Sequence, residues 1–222
     1  MDDKITPTKS GVLLHSTDED FIQVLLKLYD DATYKYWDTR VCQIIVEHIS
    51  KSKKSETDAL ELLLTKFASS SATKANSKYA LQASLLGFCH QYGIGTQCMS
   101  KKTFEYYNIG AELGDGFALT QVGMCFRISC GTPYNYEKLI EFYEKAAKAG
   151  HPQGMVKYAE YQHGKIYAFW TLKAAEKGFP SAMCRAADFY RTGKYVNKDL
   201  HQALRFICPD ESYMLRQIFQ FY

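Results

Sequence analysis

The pair best equipped for chemistry in this sequence is Cys89-His90, a thiol beside an imidazole, the raw material of a nucleophile and its base. Consecutive helical residues point about 100° apart, so on a helix these two cannot form the activating hydrogen bond. Cys125 also stands where Cys89 stands in the internal repeat described below, which favours packing. The run Gly93-Ile94-Gly95-Thr96 hints at a phosphate loop, yet no strand pattern precedes it and no Gly-Lys-Ser/Thr follows. The histidines (His15, His48, His90, His151, His163, His201) form neither HxxxH nor HExxH, and the cysteines (Cys42, Cys89, Cys98, Cys125, Cys130, Cys184, Cys208) form no CxxC. Asp18, Glu19 and Asp20 precede a helical pattern, where acids complement the positive helix start rather than serve as an acid–base pair. No catalytic residue, cofactor or metal ligand is assigned, and the chain reads as a non-enzyme.

Composition narrows the partners. Lys and Arg number 27 against 24 Asp and Glu, a formal charge of +3 that gives no electrostatic reason to expect nucleic acid or membrane. The densest basic cluster, Lys51, Lys53 and Lys54 among Ser50, Ser52 and Ser55, reads as a solvated linker. The opening MDDKITPTKS lacks the apolar core of a secretory signal, and no apolar run is long enough to span a bilayer. A soluble, cytoplasmic protein with mostly reduced cysteines is expected.

The elements that would position any site come from a repeat. Gly87, Gly95, Lys102, Tyr107, Ala111 and Gly114 recur 36 residues on as Gly123, Gly131, Lys138, Tyr143, Ala147 and Gly150. A third unit, from Pro152 to Gly178, has Ala159 at the marker position and lacks eight residues between its helix landmarks, its first helix ending near Gly164. A fourth, from Ser181 to Ile207, restores the long spacing with Ala187 as marker, and Pro209 stops it. Small residues (Gly87, Gly123, Ala159, Ala187; Ala111, Ala146, Ala147, Ala174, Ala175) recur where helix backbones must approach, while Tyr106, Tyr107, Phe142, Tyr143 and Trp170 fill the layers between units. Gly114, Gly150 and Gly178 suit left-handed helix ends, and Pro152 and Pro180 suit the next helix start.

The pattern LG-xx-Y-xx-GxG followed by KA-xx-YY-x-KAA-xx-G resembles the Sel-one-like repeat, a relative of the tetratricopeptide repeat, over about Lys78 to Ile207. The resemblance implies an all-α fold: a right-handed superhelical solenoid of antiparallel helix pairs, in a family made mostly of adaptors. Some members carry such arrays behind a kinase domain, but no HRD, DFG or VAIK-type string is present, so this chain is alternatively a regulatory or self-associating fragment of a larger protein. Cysteine-rich relatives have been assigned lactam hydrolysis, a less favoured alternative here because their paired-cysteine spacing is absent. Cys125 and Cys130 do not match that spacing.

Upstream, Asp18 to Tyr29, Trp37 to Ile49 and Thr57 to Phe67 have apolar residues at helical spacing without the repeat signature. The expected organisation is residues 1–16 disordered or a fragment start, 17–77 a helical cap on the array with a loop from Ser70 to Lys78, and 78–222 the array, ending in a capping helix or self-association contact near Ile218 to Tyr222. A protein or peptide partner is expected in the concave groove. Taking the positions three before, one after and four after each marker, its candidate lining is Ser84, Phe88 and Gln91; Thr120, Met124 and Arg127; Val156, Glu160 and His163; and Cys184, Asp188 and Arg191.

Overall fold

The computed structural model describes residues 18–35, 39–52, 55–70 and 77–207. These form eleven helices and no strands: α1 (Asp18–Lys35), α2 (Thr39–Lys51), α3 (Glu56–Ser70), α4 (Ser77–Tyr92), α5 (Ser100–Glu112), α6 (Gly116–Ile128), α7 (Tyr136–Lys148), α8 (Pro152–Ala159), α9 (Gly164–Glu176), α10 (Pro180–Thr192) and α11 (Leu200–Ile207). Consecutive helices pack on one another along the chain, so α4–α5, α6–α7, α8–α9 and α10–α11 are the four repeat hairpins of an all-α solenoid. The expected disordered start and the expected contact at Ile218 to Tyr222 lie outside the described residues.

The nesting that the small residues imply is present. A Cβ on Gly87 would lie 2.6 Å from the Tyr107 ring, and one on Gly123 would lie 2.6 Å from the Tyr143 ring. Both tyrosines are fully buried, so each marker glycine is the seat of the aromatic ring contributed by the second helix of its own unit. In unit 3 the marker is Ala159, and Thr171 takes the corresponding place on α9, both fully buried. A larger seat is thus matched by a smaller side chain. Gly114, Gly150 and Gly178 adopt φ of +83°, +87° and +79°, the left-handed ends their positions predict.

The shortening of unit 3 is shared between helix and loop. α8 has 8 residues where α6 has 13, and only residues 160–163 join it to α9. Gly164 does not end the first helix, as expected from the sequence, but begins the second with φ +59°.

Successive units are joined by a latch. Ser84 Oγ donates to Asp115 Oδ2 at 2.5 Å, and the same carboxylate caps α6 by accepting from the Ala118 N–H at 2.9 Å. One repeat later Thr120 Oγ1 lies 2.9 Å from His151 Nδ1, which caps α8 by accepting from the Gly154 N–H at 3.3 Å. At the third joint the polar pair gives way to Val156 and Phe179, both buried in one apolar cluster. His151 is 1% exposed, and burial, then the nearby Lys177 charge, lowers its pKa to about 3. An unfolded histidine protonates near pH 6.5, so between those values the unfolded chain binds the extra proton. The joint's full contribution is therefore present above about pH 6.5 and falls by about 1.4 kcal/mol per pH unit below it, until about pH 3. Asn at position 151 keeps an acceptor for Gly154 but does not titrate. Urea unfolding of His151→Asn between pH 7.5 and 5 should therefore show a shallower loss than wild type, the remainder including His48 and His90, whose pKa values burial also lowers. Equal slopes would remove His151 as the origin.

Of the upstream helices, α1 and α3 are longer than their apolar periodicity suggested while α2 has the expected length shifted by two residues, and α3 has a specific relation to the array. Ser55 and Asp58 form a reciprocal capping box at its start, which places Ser55 in a helix cap rather than a free linker. In the loop of unit 1, a Cβ on Gly95 would strike the Glu56 carbonyl and approach Leu60. In unit 2 the equivalent Gly131 would strike the Ser100 carbonyl and approach Phe104. α3 thus stands to unit 1 as α5 stands to unit 2, so the α2–α3 hairpin extends the stack without carrying its motif. α1 has a different place. Its buried Tyr29 packs edge-on against Phe88 of α4 at 5.8 Å and Phe117 of α6 at 5.0 Å.

Candidate partner-binding groove

The first helices of units 1 to 3 line a groove of about 310 Å³. Its walls are Phe88, Gln91 and Tyr92 from α4; Phe117, Gln121, Met124, Arg127 and Ile128 from α6; and Gln153 and Lys157 from α8. Relative to the marker residue these are positions −6, −2, +1, +4 and +5, one stripe of a helix repeating every three to four residues. Phe88 and Phe117, only 2% and 6% exposed, back the apolar part beside Met124, and glutamines and cations supply the polar part. Tyr92 and Ile128 remain 39% and 55% exposed, giving the groove accessible apolar edges.

Four of the twelve sequence candidates meet here: Phe88, Gln91, Met124 and Arg127. Three others need correction. Ser84, Thr120 and Val156 are at most 4% exposed, because position −3 faces the latch to the following unit and not the groove. Glu160 sits beyond the groove edge, pairing with Lys157 at 3.0 Å and Arg185 at 3.6 Å. His163, Cys184, Asp188 and Arg191 are exposed outside the groove lining, with Asp188 and Arg191 paired to each other at 2.5 Å. Tyr92, Phe117, Gln121, Ile128, Gln153 and Lys157 were missed. Shifting the assumed face from −3 to −2, adding the turn before it at −6 and the residue after +4 would have found all six.

The groove stops at α1. In unit 1 the positions equivalent to Phe117 and Gln121 are Leu81 and Leu85, and both join the apolar cluster that contains Phe21, Ile22, Leu25 and Tyr29 of α1. Within the open part, Gln91 accepts from the Tyr107 hydroxyl at 2.6 Å, which fixes its amide. The Arg127 guanidinium lies against the Met124 thioether, with Nη2 2.9 Å from Sδ. Burial pushes the Tyr143 phenol well above its usual pKa, while the adjacent Arg127 charge opposes the rise.

The other candidates for chemistry are packing residues. Cys89 and His90 are 2% and 3% exposed, with His90 stacked on Tyr106 at 5.5 Å. Cys125 is buried, its thiol pushed far up by burial and by neighbouring Cys130, the opposite of an activated nucleophile. Cys125 and Cys130 are not bridged. Among the described residues no helix is long and apolar enough to cross a membrane.

Stacked hairpins with a groove along their first helices define a helical-repeat protein. The sequence profile of the Sel1 repeat matches residues 83–115, 117–151 and 180–207, so these three stretches are Sel1 repeats, with α8–α9 the unit that departs from the profile. A sel1-like repeat-containing protein of Acanthamoeba polyphaga mimivirus is 32% identical over 124 residues, 52% of this chain and 22% of that protein. The crystal structure of a Sel1 repeat protein from Oxalobacter formigenes matches with TM-score 0.57 and 24% identity, covering 71% of this chain and 62% of that one. A protective antigen of uropathogenic Escherichia coli displaying an SLR fold matches with TM-score 0.52 and 16% identity, covering 86% and 44%. The chain therefore spans about a fifth of the viral relative and less than two thirds of either structure.

Proposed function

We propose that this protein is a non-catalytic binding scaffold that holds a peptide segment of another protein in the groove between α4, α6 and α8. The supporting observation is the groove itself: one stripe from three packed helices presents apolar surface beside amides and cations, without a nucleophile–base pair among the lining residues. Helices that bury their other faces against neighbouring units hold such a surface in place before a ligand arrives, which lowers the ordering cost of binding.

Ile128 provides the cleanest test, because it lines the groove while more than half exposed. Ile128→Trp should fill the channel, leave helical circular dichroism unchanged and reduce capture of a native partner in pull-down at least about tenfold, the loss of one anchor contact. Phe169→Arg, at an exposed site on α9 away from the groove lining, should capture as wild type does. Equal capture by all three proteins would reject the groove as the binding surface.

A further inference from the structure

We infer that the groove selects an extended segment bearing an acidic side chain, which Arg127 receives while Gln153 accepts a backbone N–H. This inference rests on the groove reading above and adds the chemistry of the occupant.

Charge comes first. The ionised lining residues, Arg127 and Lys157, are both cations. Lys157 is already neutralised by Glu160 at 3.0 Å. Arg127 makes no carboxylate ion pair among the described residues; its guanidinium rests on a thioether, a weak acceptor, beside the phenols of Tyr143 and Tyr161. A guanidinium so placed offers its planar donors to a carboxylate arriving along the groove.

The second observation is independent. Gln153 lines the same groove, is only 7% exposed, and its amide oxygen has no hydrogen-bond partner. A buried carbonyl left unmatched is costly, and a donor supplied by a ligand would relieve that cost. Extended peptide presents backbone N–H groups at regular intervals, whereas a helix has used most of its own.

At one end of the groove Phe88 and Phe117 rest on Tyr29 of α1, which is seated between them.

The test uses the full chain and three pools of nine-residue peptides, acetylated and amidated so that only a side chain can supply charge. Each pool carries Asp, Asn or Lys at a fixed centre among randomised uncharged positions, and a stapled amphipathic helix serves as the fourth probe. The Asp pool should retain the protein about tenfold better than the Asn pool, the gain expected of one charge-assisted bond, and the Lys pool least. Arg127→Gln should bring the Asp-to-Asn ratio near one, and Arg127→Lys should keep part of it. Gln153→Leu should weaken both pools alike. Methyl resonances of Met124 and Ile128 report whether the groove is engaged. Equal retention of the Asp and Lys pools with shifted resonances would overturn the acidic preference and leave the groove standing. Binding by the stapled helix alone would overturn the extended form, and unmoved resonances with every probe would overturn the groove itself.

Discussion

Gly123→Ala should lower the unfolding free energy by about 2–3 kcal/mol, toward the upper end of what overpacking a core costs. The added methyl would stand 2.6 and 2.7 Å from two carbons of the Tyr143 ring. The ring cannot withdraw, because Tyr143 is fully buried and stacked on Tyr161 at 5.9 Å. Unit 3 suggests how the conflict is relieved, since it pairs an alanine marker with Thr171 in the corresponding place. Tyr143→Thr alone should cost about 3–4 kcal/mol through the lost ring and its cavity. The double variant should cost less than the sum by about 1 kcal/mol or more, since each change removes the cause of the other's strain. Urea unfolding of the four proteins checks this, and strict additivity would mean that the glycine is not the seat of the ring.

The second large effect is at Tyr29, where ring and hydroxyl should act in opposite directions. Truncation to alanine removes the edge-on contacts to Phe88 and Phe117 and should cost about 3–5 kcal/mol. Tyr29→Phe keeps those contacts and deletes a buried hydroxyl that has no hydrogen-bond partner, so stability should hold or rise by up to about 1 kcal/mol. Chemical denaturation of both variants distinguishes a ring-driven dock from one that depends on the phenol. A clear loss in Tyr29→Phe would show that the hydroxyl is matched in solution.

The solenoid was legible because the Gly–Tyr seats fall at a constant offset, a constraint set by backbone approach rather than by local helix preference. The α2–α3 hairpin escaped notice as part of the stack for the same reason. It meets unit 1 through the Glu56 backbone against Gly95, a contact that needs a glycine in the array but no particular signature in the hairpin. The groove was half legible. α6 buries Phe117 through Gly123 without a break, along with Cys125 and Phe126. A helix enclosed on nearly every side has no apolar face by which sequence could point to its open stripe. Residues −3 and −2 lie about 100° apart, so a one-residue error put Thr120 and Val156, which are buried at the joints between units, in place of Gln121 and Lys157, which line the channel. Gln153 lies on the second residue of α8, a turn before the positions considered.

The seating of α1 against Phe88 and Phe117 makes the channel a blind alley. In the proposed binding mode a strand would have to stop or turn away at the α1 end, where Phe88 and Phe117 are backed by the buried Tyr29. Recognition in the proposed mode would therefore be directional: the bound stretch would have a fixed leading edge, while its trailing side could be tethered to cargo. Bait fixed to a surface by its leading edge would fail to enter, and the same bait fixed by its tail would be held.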